Sequence, residues 1–435
     1  MRSTTNLQQV ERLIKSLNSF PKDGSSVIQT DSSVVNVSRL VEQKFKFPSL
    51  PSSPNVEYLG SFAGYYPLPN TNGARMFYFF FESRNKKSED PVVIWLSGGP
   101  GSSCSVTLFY ESGPFRITDE VSLVWNDYGW DKVSNILYID QPIGTGFSYT
   151  TSESDLRDNH ISVSNDLYNF LQEFFKAHMQ FAQNDFFIVG QSYGGHTAPT
   201  LASLIHQRNQ ENVGIRINLR GFAIGNGFTN PKIQYPALLD YAKNESLIKN
   251  YEHRRMTPMA EDCVSYITAC DTGGKDACRT AFHYCMEFFH EILHCAGDIN
   301  YYDIRKNRVG SKCYDYSNLE NFYSKESVKD ALNVRGDIPF VSFSSDVYSA
   351  LKGDLMKNLD VGIPALLEDG IRVLIYAGDQ DLLCNWLEAG ELRSHKGLSF
   401  LKVFQAGHMV AKDQPKVALR MIQSWMHGRL VSHLD

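Results

Sequence analysis

The chain has 435 residues, of which 42% are hydrophobic and 21% charged, so it can bury a sizeable core and is long enough for one large domain or two ordinary ones. The net charge of −6 is spread along the chain, and no basic run or stripe marks a nucleic-acid partner. No apolar stretch approaches the ~20 residues that a membrane-spanning helix needs, so no membrane association is expected.

In chain order, Met1 to Ser16 lacks the apolar core of a signal peptide. Leu7, Val10, Leu13, Ile14 and Leu17 recur at helical spacing and form a short amphipathic arm. A Ser-rich polar stretch, Lys22 to Ser33, reads as a linker. From about residue 55, short apolar runs rich in β-branched and aromatic residues alternate with helical patterns. The strand-like runs are Met76–Phe81, Val92–Leu96, Ile136–Ile139, Phe186–Val189, Phe222–Ile224, Val373–Tyr376 and Phe400–Phe404. Helical patterns such as Val163–His178 and Thr197–Asn209 lie between them. This alternation predicts an α/β fold with a mostly parallel sheet.

Pro231 to Ile338 breaks the pattern. It holds polar helical patterns and six of the eight cysteines, between Cys263 and Cys313, and is expected to be a cap inserted over the sheet's C-terminal edge. The expected organisation is therefore an arm and linker over 1–45, a core over 46–230, the cap over 231–338 and the rest of the core over 339–435. Clustered cysteines in a polar stretch suggest disulfides and an oxidising compartment. The sequons at Asn36 and Asn244 fit that setting as glycan acceptors. A secreted or vacuolar location is expected, although no signal is visible in the chain.

The chemistry is concentrated in a few motifs. Gly190-Gln191-Ser192-Tyr193-Gly194 matches G-x-S-x-G directly after a strand and before a helix. Glycines there relieve a turn so tight that the serine stands exposed at the strand's end, which makes Ser192 a nucleophile candidate. A nucleophilic serine needs a base and an orienting acid, placed later in the chain at strand ends. Asp379-Gln380-Asp381, after Val373–Tyr376, and Gly407-His408, after Phe400–Phe404, stand in that order. An oxyanion hole needs two convergent backbone N–H groups. One is expected from Tyr193 and the other from Ser97-Gly98-Gly99-Pro100-Gly101.

Trp95–Gly101, Gln141-Pro142 through Tyr149, Gly190–His196, Gly225-Asn226-Gly227, Tyr376 through Trp386 and Ala406–Met409 together resemble the serine carboxypeptidases, most closely the plant carboxypeptidase-like branch. The resemblance implies an α/β-hydrolase fold with a disulfide-containing helical cap. It implies release of single residues from peptide or protein C-termini, with no cofactor and no metal. The implied triad is Ser192, Asp381 and His408, with oxyanion donors at Gly99 and Tyr193. The substrate's carboxylate would be gripped at Ser97, Gly98, Glu111 and Gln191. Two of those four depart from the family's pattern, which carries Asn at the first position and Glu at the last. A pair of facing Glu residues must share a proton to accept a carboxylate, whereas a Gln donates at any pH. The implied disulfides are Cys263–Cys285 and Cys270–Cys278, and Cys384 resembles a thiol that the family keeps near the substrate pocket. Ser102 and Phe343 replace both halves of another family disulfide. The 27 residues from Asp381 to His408 are fewer than the family carries, which predicts a base that could be misplaced and an activity that could be reduced.

Three other readings compete. His290-Glu291-Ile292-Leu293-His294 is a literal H-E-x-x-H, the helical signature of a zinc peptidase, but it falls in the cap and no third ligand is evident. The altered carboxylate grip is compatible with an acyltransferase that takes sugar esters through the same Ser192. The short connection before His408 is compatible with a non-catalytic binding protein. Nothing in the sequence sets an oligomeric state.

Overall fold

The computed structural model describes residues 40–48, 50, 59–309, 313–389 and 397–430. The predicted arm, the linker and Asn36 lie outside the described residues. Strands β1 (Val41–Lys44), β2 (Ser61–Pro67), β3 (Arg75–Phe81), β4 (Val92–Leu96), β7 (Asn135–Ile139), β8 (Phe186–Ser192), β9 (Leu219–Gly227), β10 (Arg372–Gly378) and β11 (Leu398–Val403) form one sheet in the order β1-β2-β3-β7-β4-β8-β9-β10-β11. Strands β1, β2, β3 and β7 pair antiparallel, and every pair from β7 to β11 is parallel. A separate hairpin joins β5 (Phe115–Ile117) to β6 (Leu123–Trp125). The fold is thus an α/β-hydrolase fold, mostly parallel and flanked by helices.

All seven predicted strands have their counterpart in this sheet, and β3, β4, β7 and β8 are buried on both faces while β11, at the edge, is half-buried. In β3, Phe77, Phe79 and Phe81 join the core on one side, while Met76, Tyr78 and Phe80 join the other. Two-sided burial explains why the run is continuously apolar. At about 1.5–3 kcal/mol per large side chain buried, this strand alone contributes several kcal/mol to holding the sheet. The last predicted strand ends one residue early, at Val403, and Phe404 is 68% exposed. Strands β1, β2, β5 and β6 were not predicted. Their sequences are short or mix Gly and Pro with other residues, and they gain their place from pairing with neighbouring strands rather than from a strong pattern of their own.

Helices α1 (Cys104–Tyr110), α2 (His160–Ala177) and α3 (Gly194–Gln210) belong to the core. In α2, Val163, Leu167, Phe170, Leu171 and Phe174 are buried at helical spacing, and the Asn159 side chain caps the start by accepting from the Ser162 N–H at 2.9 Å. The stretch after β9 is helical, with α4 (Pro231–Asn244) followed by α5 (Asn250–Ala296). Gly274, at φ 73°, breaks α5 into two antiparallel arms, a turn that favours glycine. Disulfides Cys263–Cys285 and Cys270–Cys278 staple the arms. Tyr266 stacks on Tyr284 between them, with ring centroids 3.9 Å apart. No helix among the described residues is long and apolar enough to cross a membrane.

Candidate active site

The turn from β8 into α3 is as tight as the sequence requires. A Cβ on Gly190 would lie 2.2 Å from the Gly194 carbonyl oxygen, and one on Gly194 would lie 2.5 Å from that of Leu96. Ser192 itself takes φ 58°, a left-handed conformation that costs a serine of order 1–2 kcal/mol. Strain of this kind at a strand end lifts Ser192 out of the sheet into a cavity that it shares with His408, Gln191, Ser97, Gly98 and Gly99.

The candidate acid and base meet at the ends of β10 and β11. Asp381 is fully buried, and His408 is almost so. The His408 Nδ1 lies 2.7 Å from Asp381 Oδ2. That oxygen also accepts from Asn226 Nδ2 at 2.8 Å, and Asp381 Oδ1 accepts from the Leu383 N–H at 3.0 Å. These donors satisfy a carboxylate that would be costly to bury unpaired. Asp381, rather than Asp379, is the acid that reaches His408; Asp379 Oδ1 instead faces the Ala406 N–H at 3.4 Å. The short connection therefore leaves Asp381 and His408 in contact.

A cap segment supports both loops. The Tyr301 carbonyl accepts from the Leu382 and Leu383 N–H groups, the Ile304 N–H donates to the Gln380 carbonyl, and the His408 N–H donates to the Tyr302 carbonyl at 2.7 Å. Arg305 Nη1 donates to the Gln405 carbonyl at 2.9 Å while its other nitrogens bind Asp303. Residues 301–305 thus lace the Asp381 loop to the His408 loop.

The glycine loop after β4 lies against the nucleophile. A Cβ on Gly98 would meet Ser192 Cβ at 2.4 Å, so only glycine permits this approach. Among the described residues, neither the Gly99 N–H nor the Tyr193 N–H donates a hydrogen bond within the chain, so both remain available. The Gln141 side chain holds this loop by donating to the Ser97 carbonyl at 3.0 Å. Ser102 and Phe343 form a backbone bridge across the loop's far side, so the two residues at the family's disulfide positions are neighbours here.

Three of the four candidate carboxylate residues, Ser97, Gly98 and Gln191, line the Ser192 cavity, and the fourth, Glu111, is bonded to Gln191. Gln191 Nε2 donates to Glu111 Oε2 at 2.8 Å and to the His408 carbonyl at 3.2 Å. Glu111 is buried, which pushes its pKa up to about 8 even though the Gln191 bond opposes the shift. Its Oε1 has no partner among the described residues. Glu111 is therefore a neutral carboxylic acid across the acid and neutral range, with one oxygen to spare. Ser97 is buried beside Thr107, with their hydroxyls 3.4 Å apart.

The H-E-x-x-H residues do not converge. Glu291 pairs with Arg255 at 2.6 Å, and His294 is exposed. His290 lines the cavity, with its pKa lowered to about 4 by burial. The one convergence of three ligand-type side chains among the described residues is Asp381, Cys384 and His408.

The remainder of the cavity is aromatic and apolar, with Phe228, Tyr235, Phe282, Phe289, Tyr314 and Tyr348 among its lining. Three supports had no assigned role in the sequence reading: Asn226, the 301–305 segment and Asp354, which binds Tyr193. Asn226 carried a signal, since an Asn between two glycines at a strand end suits the φ of 40° that it adopts. The other two act through contacts between distant parts of the chain.

Comparison with known proteins places this geometry. The model of the family described as serine carboxypeptidase matches residues 51–392 and 387–428. The two matched segments meet between Asp381 and His408. Serine carboxypeptidase-like 49 of Arabidopsis thaliana is 50% identical over 465 aligned positions, covering 99% of this chain and 90% of its own. Those positions exceed the chain's 435 residues, so at least 30 residues of that relative have no counterpart here. Serine carboxypeptidase 3 of Oryza sativa subsp. japonica is 51% identical over 452 positions, covering 97% of this chain and 90% of its own. A crystal structure of Kex1(delta)p, a prohormone-processing carboxypeptidase from Saccharomyces cerevisiae, superposes with a TM-score of 0.80 at 23% identity, covering 88% of this chain and 95% of its own, which shows the shared fold. With its sequence matched along most of its length and its sheet, cap and glycine loop in place, the chain belongs to the serine carboxypeptidase family.

Proposed function

We propose that the chain is a serine-type carboxypeptidase that releases single residues from free peptide C-termini through an acyl-enzyme on Ser192. The observation that carries this reading is Gln191, which lines the cavity shared by Ser192 and His408 and binds the buried Glu111 carboxyl at 2.8 Å. A neutral Glu111 carboxyl, held by a Gln191 amide whose two N–H groups are taken up by Glu111 and the His408 carbonyl, offers a hydrogen-bond donor to a terminal carboxylate together with Ser97 and the Gly98 N–H, which would place the preceding peptide bond over Ser192.

With Nδ1–H donating to Asp381, His408 Nε2 is left as the base. It takes the Ser192 Oγ proton as Oγ bonds to the scissile carbonyl carbon. The oxyanion so formed receives the Gly99 and Tyr193 N–H groups. Collapse breaks the C–N bond, and His408 gives its proton to the departing amine. Water, deprotonated by His408, then bonds to the acyl carbon; the C–Oγ bond breaks, the acid is released and His408 returns the proton to Ser192 Oγ.

The test compares a blocked dipeptide bearing a free carboxylate with its C-terminal amide. Cleavage of the acid alone is expected. Equal cleavage of both contradicts the carboxylate site. A second reading is favoured by Ser97 and Gln191, which depart from the family's peptide-binding pattern: transfer of an acyl group from a sugar ester to an alcohol through the same Ser192. Product formation from a glucose ester, with no peptide cleavage, would establish it. Neither product, with Ser192 unreactive, would establish a non-catalytic member. The two disulfides suit an oxidising, secreted or vacuolar setting. Asn244, exposed at the end of α4, is then a glycan acceptor.

A further inference from the structure

The Tyr193 N–H belongs to the peptide that joins it to Ser192, so its direction depends on the torsions of both residues. Ser192 is held at φ 58° and gains by relaxing. Any relaxation would rotate that same peptide and swing the N–H. Tyr193 is almost fully buried and fixed at its far end, where its Oη donates to Asp354 Oδ2 at 2.6 Å. Asp354 grips it from a second side. Its main-chain oxygen lies 3.1 Å from His196 Nε2, and the His196 ring stacks on the Tyr193 ring at 5.0 Å. The other carboxylate oxygen of Asp354 is 2.7 Å from His160 Nδ1, at the start of α2. Asp354 lies in the turn Asp354–Met356, far in sequence from the motif that it touches.

We propose that Asp354 is a positioning residue for the oxyanion hole, acting through the Tyr193 phenol to hold the Ser192–Tyr193 peptide in its strained orientation. The inference rests on the acyl-enzyme reading above. A tether of this kind matters more to the transition state than to the bound substrate, because the N–H meets full negative charge only after Ser192 attacks.

The test uses the full chain with Asp354→Ala, Asp354→Asn and Tyr193→Phe. Two quantities are read: kcat and KM on a blocked dipeptide, and the rate of Ser192 labelling by a fluorophosphonate. Asp354→Ala and Tyr193→Phe are each expected to lower kcat and labelling by about 10- to 100-fold, with KM changed less than about twofold. Combining them should cost no more than the larger single change. Asp354→Asn keeps an oxygen that accepts from Tyr193 and should recover most of the rate. Unchanged kcat and labelling in Tyr193→Phe, or losses that follow the fraction of unfolded protein in a thermal melt, would overturn the proposal while leaving the acyl-enzyme reading intact. A parent chain that is neither active nor labelled would overturn both.

Discussion

Gln191 sits between two groups that would penalise a charge. Its amide donates to Glu111 on one side and to the His408 carbonyl on the other. Glutamate at this position would face a carboxyl and a carbonyl oxygen, and it could fill the place only with a proton shared across the pair. The parent chain needs no such sharing, because burial keeps Glu111 neutral up to about pH 8. Under the proposed function, carboxylate binding is therefore expected below that pH and is expected to be lost as Glu111 ionises above it. Gln191→Glu is expected to move the fall in kcat/KM of peptide cleavage to lower pH, leaving activity on the acid side. An unchanged pH profile would refute this account of Gln191. Gln191 was legible because it falls within Gly190–His196, whereas Glu111 lies outside the motifs and came only from what the family resemblance implies. The sequence could not show that Gln191 also binds the His408 backbone, since that contact joins residues 217 apart.

At the scale of elements, β8 and α3 were readable because local sterics dictate them: two glycines, a preceding apolar run and a following helical pattern. The ends of β10 and β11 were readable for the same reason. What holds their loops together was not. Residues 301–305 come from a different part of the chain, and most of their bonds use backbone groups, which any side chains could accompany. This lacing gives a physical reason why Asp381 and His408 stay 2.7 Å apart across a connection that spans 27 positions. Among the described residues, Arg305 is the side chain of this segment that ties the lacing to Gln405. Arg305→Ala is expected to lower kcat about tenfold with KM little changed, because a displaced base slows chemistry more than binding. A kcat equal to the parent's would show that the backbone bonds suffice.

At the scale of the whole molecule, burial sets a common direction for several acids. Desolvation raises Glu111 to about 8 and also raises Asp131, Asp140 and Asp166, despite partners that pull them down. In the unfolded chain Glu111 ionises near 4.5. The folded state thus holds a proton that the unfolded state has released, and its stability falls as pH rises from about 4.5 to about 8. Glu111→Gln should flatten that part of the profile, as measured by urea midpoints from pH 4.5 to 8. A slope equal to the parent's would mean that Glu111 is ionised in the fold. The sheet and the helical cap were legible because strand burial and cysteine clustering leave strong patterns. Strands β1 and β2 were not, since the pairing of β2 with β3, and of β1 with β2, rather than their own composition makes them strands.

The central claim is that Ser192, held in a strained turn and served by Asp381 and His408, is a reactive nucleophile. Mass spectrometry after exposure to a fluorophosphonate tests it most directly. The expected result is a single adduct on the peptide containing Ser192, absent in Ser192→Ala and strongly slowed in His408→Ala. An unmodified Ser192 in a folded parent chain, or equal labelling of the Ser192→Ala variant, would contradict it.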